Sequence, residues 1–332
     1  MMDHIGNSLQ IRGIEQYVLQ DGKGRGMRFL YVRNGLGLEA WISLDRCADL
    51  SRVTYQGKNM GYFSPCGYVA PQYYDGKGDG FLKSFTAGFV TTCGLTAVGS
   101  PCTDEGEVLP LHGTVSHIPA ELQAAQEEAD ALKIRVTVRD CRIFGQKLVL
   151  KREYTFPYGE NKIHLEDTVI NEGSETSPYM ILYHCNMGYP LLSEKSTVKI
   201  PNRGVVPRND RAASQIAHAL RMEPPGAGYE ECCYYYDMTE KNGVVRAGIF
   251  NEEISCGAVL SYHKTALPCF TQWKMMGKKD YVLGLEPGNC TPDGRDVLRK
   301  EGRLAFLAPE EKAVTWVDFC FMNEKNRFEE EF

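Results

Sequence analysis

Apolar and polar residues alternate with a period of two in three consecutive stretches near the middle of the chain. The first stretch is LKIRVTVRD, in which one face carries Leu132, Ile134, Val136 and Val138. The second and third stretches, KLVLKREYTF and NKIHLEDTVIN, keep the same alternation, and turn-like segments separate the three. Successive side chains of a β-strand point to opposite faces of a sheet, so this pattern predicts a meander of three antiparallel strands.

The rest of the chain also favours strands over helices. Further strand candidates are VVRAGIF, CGAVLSY, YVLGL and AVTWVDFCF, and the 33 glycines and 16 prolines are suited to the turns between them. Asp210 is the predicted cap of a short helix through RAASQIAHALR, which ends before Pro224. The segment AELQAAQEEADALK is ambiguous, because its alanine, glutamate and glutamine content favours a helix by propensity.

The organisation of the chain predicts one domain rather than several. Its 332 residues, 43% of them hydrophobic, are enough to bury a large core. The sequence contains no internal repeat, no low-complexity linker and no break in composition. We therefore expect a single all-β domain over residues 1–332, built as a sandwich or a barrel.

Charge and composition exclude several classes of function. The net charge is −6 and the basic residues are dispersed, which argues against a nucleic-acid partner. No stretch approaches the length of apolar residues that a membrane span needs, and the first residues, MMDHIGNSLQIRG, lack the apolar region of a signal peptide. The 12 cysteines include no CxxC spacing, so we expect free thiols in a cytoplasmic protein.

Three titratable residues stand in short phrases rich in glycine, proline and aromatic residues. They are His112 in VLPLHGTVSHIPA, His184 in ILYHCNMGYPLL and Glu286 in YVLGLEPGNCTPDGR. Two imidazoles and a carboxylate are suited to general acid–base chemistry near neutral pH. The alternatives are ordinary, namely core histidines bonded to the backbone and a glutamate in a surface ion pair.

Weaker candidates for substrate binding surround these residues. Asn186 and Tyr189 follow His184, and either core packing or stacking against a ligand ring explains Tyr189. Trp273 and Lys274, in PCFTQWKMMG, offer an indole for the apolar face of a ligand and an ammonium for hydroxyls or an anionic group. Arg46, in SLDRCADLSRVTYQG, either binds ligand hydroxyls or is one partner of an ion pair with a neighbouring aspartate. The roles of His117 and Cys185 stay open.

The phrases around His112, His184 and Glu286, in this order, resemble the galactose mutarotase (aldose 1-epimerase) superfamily and, within it, an uncharacterised bacterial branch (DUF4432-like). The resemblance implies a large twisted antiparallel β-sandwich and makes AELQAAQE a strand. It implies that Glu286 is the general base, that His184 is the general acid and that His112 contacts the sugar near its ring oxygen. The implied partner is a small-molecule sugar, with no metal and no organic cofactor. One departure is Glu310, where the superfamily's LxPGE ending has glycine.

Two other classes of function remain open at this stage. Two histidines and a glutamate also suit a metal-dependent sugar enzyme, although the chain lacks HxH or HxxxE spacing. Aromatic, arginine and asparagine side chains would equally serve a carbohydrate-binding protein without catalysis. The sequence leaves open whether the sugar is neutral, acidic or phosphorylated, whether the chemistry stops at the anomeric carbon, and what the oligomeric state is.

Overall fold

The structure is a computed structural model that describes residues 4–332, and antiparallel strands dominate it. Residues 1–3, which begin the segment predicted to lack a signal peptide, lie outside the described residues. The strands are β1 (Gly13–Val18), β2 (Arg28–Arg33), β3 (Leu38–Ser43), β4 (Asp49–Tyr55), β5 (Lys58–Asn59), β6 (Tyr62–Phe63), β7 (Ala87–Gly88), β8 (Val90–Leu95), β9 (Cys102–Asp104), β10 (Glu107–Leu109), β11 (Glu121–Glu127), β12 (Ala131–Cys141), β13 (Lys147–Pro157), β14 (Lys162–Asn171), β15 (Ser177–Met187), β16 (Ser196–Lys199), β17 (Asn202–Pro207), β18 (Cys232–Met238), β19 (Glu240–Lys241), β20 (Val244–Asn251), β21 (Cys256–His263), β22 (Cys269–Met276), β23 (Tyr281–Gly288), β24 (Ala305–Leu307) and β25 (Lys312–Met322).

Helical elements are short. The α-helices are α1 (Asp210–Ser214), α2 (Arg295–Lys300) and α3 (Lys325–Glu330). Single 3-10 turns lie at Ser8–Gln10, Gly22–Gly24, Pro71–Tyr73, Gly80–Lys83, Val115–His117 and Ile216–His218. Among residues 4–332, no helix is both long and apolar enough to cross a membrane.

The predicted meander is confirmed as β12, β13 and β14. Ile134 lies opposite Tyr154, which in turn lies opposite Leu165 on the next strand. All three side chains are completely buried. The strand alternation of the sequence therefore identifies the face of this sheet that packs into the core.

Three larger sheets make up the sandwich. The meander continues into a nine-stranded sheet in the order β11-β12-β13-β14-β25-β21-β20-β16, with β19 also pairing with β20. A seven-stranded sheet runs β17-β18-β22-β23-β15-β24, with β8 also pairing with β15. The N-terminal strands form a five-stranded sheet, β1 to β5, in chain order. Two separate strand pairs, β6 with β7 and the hairpin of β9 with β10, complete the strands of the described residues.

The main hydrophobic core lies between these sheets. One continuous cluster of buried side chains includes Ile42 from the five-stranded sheet, Leu165 from the nine-stranded sheet and Tyr183 from the seven-stranded sheet. The predicted fold class, an all-β sandwich of antiparallel sheets, is confirmed. That residues 1–332 form a single domain stays a prediction.

Two local predictions have different outcomes. The ambiguous segment at 120–133 contains the strand β11, a turn and the start of β12, as the resemblance implied. The helix predicted at 211–221 is shorter than expected, and its cap is Asn209, whose side chain accepts a hydrogen bond from the backbone N–H of Ala212. Asp210 lies inside the first turn because Asn209 is the residue with the extended backbone that a cap requires. Gln215 leaves the helical conformation, and a 3-10 turn follows it.

Candidate functional site

His184 lies near the middle of β15, on the face of the strand turned away from the main core. Its neighbours Tyr183 and Cys185 belong to that core, so strand alternation directs His184 and Asn186 to the opposite side. The imidazole is nevertheless only 5% exposed. Its Nδ1 atom is buried and has no hydrogen-bond partner in the structure.

Glu286 lies on the adjacent strand, β23, and its carboxyl group approaches His184. Leu285 pairs with Cys185 in antiparallel register, so His184, which precedes Cys185, lies beside Glu286, which follows Leu285, on the same face. Nε2 of His184 lies 3.3 Å from Oε1 of Glu286. These two atoms do not form a hydrogen bond, and Oε1 of Glu286 has no other hydrogen-bond partner in the structure. The acid and base candidates are therefore neighbours that leave hydrogen-bonding capacity free.

His112 enters the site from a loop rather than from a strand. Its backbone has a positive φ of 59°, and its N–H donates to the carbonyl oxygen of Gly99 at 2.9 Å. The next residue must be glycine, because a Cβ atom on Gly113 would overlap the carbonyl oxygens of Ala97 and Gly94. This tight turn holds the His112 ring 5.5 Å from that of His184, and Nδ1 of His112 has no partner.

Aromatic side chains enclose the two histidines. Phe85 and Trp273 approach the His184 ring edge-on, with ring centroids 5.4 Å and 5.3 Å away. Phe81 lies 5.2 Å from His112 and 5.0 Å from Phe85. Walls of this kind exclude water and offer an apolar surface to the C–H face of a ligand.

These side chains line a cavity of about 320 Å³. Its other lining residues are Leu82, Gly99, Ser100, Leu111, Arg208, Glu231, Cys233, Thr271 and Pro292. Four buried polar atoms of the lining have no hydrogen-bond partner: Nδ1 of His112, Nδ1 of His184, Oγ1 of Thr271 and Oε1 of Glu286. Buried polar groups are normally paired, so a concentration of unpaired ones in a cavity is typical of a ligand site.

Burial shifts the pKa values of these groups toward their uncharged forms. It lowers the pKa of His184 to about 4 and that of His112 to about 3, with the charge of His184 adding to the effect on His112. Burial raises the pKa of Glu286 well above its usual range, and the nearby carboxylate of Glu231 acts in the same direction, whereas Arg208 opposes it. The cause is the lost hydration of the charged form.

Arg46, predicted to bind sugar, lies away from the cavity. Its guanidinium donates to the carbonyl oxygens of Val69, Ser84 and Ser116 and to Nε2 of His117 at 3.0 Å. The side chain is 6% exposed and its donors are used within the protein. Arg46 and His117 thus support the segments behind the cavity wall, and this position does not support a role of Arg46 in binding hydroxyls.

Two of the remaining candidates also lie elsewhere. Lys274 is on the face of β22 opposite to Trp273, and its Nζ donates to the carbonyl oxygens of His218 and Arg221. Tyr189 is 72% exposed and does not line the cavity. The alternation of a strand places only one of two consecutive residues on a given face, so Trp273 in the cavity requires Lys274 to point away from it.

Asn186 is beside the cavity without lining it. Its side chain is completely buried, and Nδ2 donates to the carbonyl oxygen of His184 at 2.9 Å. Oδ1 has no partner. Direct orientation of substrate by Asn186 stays a prediction.

Arg208, Glu231 and Thr271 also line the cavity, although the sequence did not predict them as site residues. Thr271 was detectable in principle, because it lies two residues from Trp273 on the same face of β22 and pairs with Glu286. Arg208 follows β17 and Glu231 precedes β18, and no motif marks either residue. Only the pairing of β17 with β18 brings this edge of the sheet to the cavity.

A second depression among residues 4–332 differs from this cavity, because its arginines are paired. A larger surface depression of about 620 Å³ includes Arg295 and Arg299. Both arginines form ion pairs with Asp104, so the positive charges in this depression are already compensated. Within residues 4–332, no group of three or more His, Cys, Asp or Glu side chains has the arrangement to hold a metal ion. All twelve cysteines are unpaired, and seven are buried.

Several solved structures of other proteins are similar to this chain in fold. A Klebsiella pneumoniae protein described as a proposed aldose 1-epimerase is 26% identical, with a TM-score of 0.91 over 98% of this chain and 88% of that chain. A galactose mutarotase-like protein from Clostridium acetobutylicum is 13% identical, with a TM-score of 0.68 over 95% of this chain and 100% of that chain. Galactose 1-epimerase from Lactobacillus acidophilus is 14% identical, with a TM-score of 0.63 over 93% and 98% of the two chains.

No curated protein matches the chain. A family model does match it, the one described as "Domain of unknown function (DUF4432)", over residues 24–320. This match covers most of the chain and agrees with the resemblance to the mutarotase superfamily. The protein therefore belongs to the DUF4432 family and has the sandwich fold of aldose 1-epimerases and galactose mutarotase-like proteins.

Proposed function

We propose that the protein is a carbohydrate-active isomerase, an aldose 1-epimerase that interconverts the α and β anomers of a reducing sugar. The observation that carries this proposal is the pair formed by His184 and Glu286. Nε2 and Oε1 lie 3.3 Å apart in the cavity, and each side chain has a buried polar atom without a partner. The similarity to a proposed aldose 1-epimerase at 26% identity supports the same reaction.

The reaction needs one base and one acid close to the same carbon atom. Glu286 removes the proton of the anomeric hydroxyl, the bond between C1 and the ring oxygen breaks, and His184 delivers a proton to that oxygen. The aldehyde then rotates about C1–C2, and ring closure reverses the two proton transfers. Both oxygens of a hemiacetal are bonded to C1, so acid and base groups that are themselves neighbours are suited to reach them.

The reaction requires the pair to hold one proton in total. If His184 holds this proton, the pair is a carboxylate with an imidazolium. If Glu286 holds it, the pair is a carboxylic acid with a neutral imidazole. Burial favours the second, uncharged distribution in the empty cavity because it lowers the pKa of His184 and raises that of Glu286. The two distributions differ only by a proton transfer within the pair, so the cavity retains one acid and one base in either case.

The other cavity residues bind and orient the sugar in this proposal. His112, whose pKa is lowered to about 3 by burial, stays neutral and hydrogen-bonds the ring oxygen or a neighbouring hydroxyl. Oγ1 of Thr271 lacks a partner and offers a further hydrogen bond. Trp273 presents its indole to the apolar face of the ring.

Replacing Glu286 tests the proposal directly. Glu286→Gln keeps the size of the side chain but removes the proton acceptor, so the rate should fall by about 10²–10⁴-fold. The measurement is exchange spectroscopy by NMR on a panel of reducing sugars, with both proteins side by side. Near-full exchange by the variant would contradict the assigned role of Glu286.

The same experiment separates the other classes of function. Sugar binding without accelerated exchange by the wild type would identify a carbohydrate-binding protein. Exchange that a chelator abolishes, together with a stoichiometric metal in the purified protein, would identify a metal-dependent enzyme. Exchange that survives the chelator and is lost in Glu286→Gln is the result we expect.

A further inference from the structure

Arg208 is a cationic side chain at the mouth of the cavity that the catalytic pair does not use. It follows the last residue of β17, and its backbone N–H donates to the carbonyl oxygen of Cys233 on β18 at 3.0 Å. Among the described residues, it is the one lysine or arginine that lines the cavity. Lys274 and Arg46, the two basic residues predicted from the sequence to bind substrate, are buried elsewhere.

Hydrogen bonds hold the guanidinium of Arg208 in place, but they do not use all of its N–H donors. Its Nη2 atom donates to Oγ of Ser100 at 2.8 Å and to the carbonyl oxygen of Pro292 at 3.2 Å. The thiol of Cys233 also lies beside the guanidinium, but within residues 4–332 both hydrogen bonds to oxygen come from Nη2, and the side chain remains 29% exposed. Two bonds therefore fix the plane of the group while other N–H donors stay available to a ligand.

The nearest carboxylate compensates Arg208 only in part. Oδ1 of Asp293 lies 3.8 Å from Nε, beyond hydrogen-bond distance. Asp293 is already engaged, because Tyr235 donates to Oδ1 at 2.5 Å and Thr291 donates to Oδ2 at 2.7 Å. The positive charge of Arg208 is thus compensated only in part by Asp293, and Glu231, the other carboxylate of the lining besides Glu286, accepts a hydrogen bond from Nε1 of Trp273 at 2.6 Å.

Ser100 completes a small polar subsite beside Arg208. Its Oγ atom accepts the hydrogen bond from Arg208, so its own O–H remains free to donate. Ser100 and Arg208 both line the cavity that contains His112. One guanidinium and one hydroxyl, both donating, match an oxygen anion better than a neutral hydroxyl.

We propose that Arg208 and Ser100 form an anion subsite and that the substrate is an aldose bearing a carboxylate, of the uronic acid type. This inference rests on the proposed mutarotation and specifies its substrate class. A single arginine matches a singly charged carboxylate, whereas a phosphate ester usually collects several cations or backbone N–H groups. Arg208 is then a specificity-determining residue that holds the anionic group while His184 and Glu286 act on the anomeric centre.

The test compares matched sugars and matched variants of the full-length protein. The sugar pairs are galacturonate with galactose and glucuronate with glucose, and glucose 6-phosphate is the phosphate arm. The variants are Arg208→Gln, Ser100→Ala and the control Arg203→Gln, which removes the same charge from an exposed position on β17. The quantity measured is the ratio of kcat/KM for each acidic sugar to that for its neutral counterpart, from NMR exchange rates.

We expect the wild type and Arg203→Gln to favour the uronates. Arg208→Gln should lower the uronate-to-neutral ratio by about 10- to 100-fold, the range for a hydrogen bond to a charged group, and Ser100→Ala should lower it less. A ratio that Arg208→Gln leaves unchanged would overturn the anion subsite. A larger Arg208-dependent preference for glucose 6-phosphate would overturn the carboxylate assignment in favour of a phosphate ester.

Binding measurements separate failure of this inference from failure of the proposed function. Calorimetric titration with galacturonate and galactose uses Glu286→Gln with and without Arg208→Gln. Arg208-dependent binding of galacturonate, with no exchange of any sugar by the wild type, would sustain the subsite and reject the mutarotase. Exchange of neutral sugars with no Arg208-dependent binding of galacturonate would reject the subsite and sustain the mutarotase.

Discussion

At the scale of single residues, burial determines the protonation of the candidate catalytic groups. His184 and Glu286 are 5% and 2% exposed, and both favour their neutral forms because a charged form would lose its hydration. An exposed histidine and glutamate would instead be neutral and ionised, respectively, at pH 7. The enclosed cavity therefore supplies an acid and a base together over an extended range of pH.

This protonation leads to a prediction for the pH dependence of activity. As pH falls through the pKa of His184, about 4, the pair takes up a second proton and loses its base. As pH rises through the raised pKa of Glu286, the pair loses its only proton and hence its acid. We expect kcat/KM to be sustained below pH 6.5, where an ordinary histidine would titrate, and to decline only as pH approaches 4.

Folding must be followed in the same experiment. His112, His117 and His184 all have lowered pKa values, caused mainly by burial, so at these three residues the unfolded chain binds protons more readily than the folded chain below pH 6.5. The histidines therefore lower stability as pH drops from 6.5 toward 4, whereas the raised pKa values of Glu286, Asp49 and Asp140 act in the opposite direction. Circular dichroism at each pH distinguishes this loss from titration of the pair, and a decline in kcat/KM centred near pH 6.5 with an intact spectrum would refute the prediction.

At the scale of elements, the alternation of three neighbouring strands assembles the site. His184 on β15, Glu286 on β23 and Trp273 on β22 all point away from the main core. Gly284 lies on the same face of β23 as Glu286. It has no side chain, and the carboxyl group of Glu286 extends over it.

Gly284→Ala should impair activity while preserving the fold. The added Cβ would overlap Oε1 of Glu286 and lie 2.9 Å from Cβ of Trp273, so the carboxyl group must move. A displacement of about 1 Å in a catalytic group can cost about 10²-fold in rate, and we expect a loss of this order in kcat.

Gly204→Ala is the matched control for this substitution. It lies on β17, where a Cβ atom would meet nothing within 4 Å. The measurements are NMR exchange rates and thermal unfolding of both variants. Equal activity of the two would show that the space over Gly284 is not needed by Glu286.

At the scale of the whole molecule, a buried polar network links the three main sheets. Arg152 on β13 donates to Asp167 on β14 at 2.7 and 2.8 Å and to Asp49 on β4 at 2.7 Å. It also donates to Thr92 on β8 at 2.7 Å, and Tyr183 on β15 donates to Asp167 at 2.7 Å. Tyr183 immediately precedes His184, so this network anchors the strand that carries the site.

Arg152→Met should strongly destabilise the protein. Arg152 is fully buried, and its removal leaves two buried carboxylates without their cation, which typically costs about 3–5 kcal/mol. The measurement is the midpoint of urea unfolding. Arg135→Met is the control, since Arg135 pairs with Glu153 on the exposed face of the same sheet and its loss should hardly move the midpoint. Equal midpoints for both variants would contradict the structural role of the network.

The network also illustrates what periodicity leaves undetermined. In KLVLKREYTF, the core face of β13 carries Leu148, Leu150, Tyr154 and Phe156, and Arg152 occupies the remaining position of that face. An alternation of apolar residues predicts the strand and its buried side. It does not predict that Asp49 and Asp167, from two other strands, meet the guanidinium there.

By itself, the sequence determined the central meander with its buried face, several of the later strands, and the three phrases that carry His112, His184 and Glu286. These features are local, because side-chain alternation and turn residues act over a few neighbouring positions. Only the tertiary structure decided that Trp273 enters the cavity while Lys274 does not, that Arg46 is used internally, and that Arg208 faces the cavity. Those outcomes depend on which strands pair and in what register, and pairing joins residues far apart in the chain.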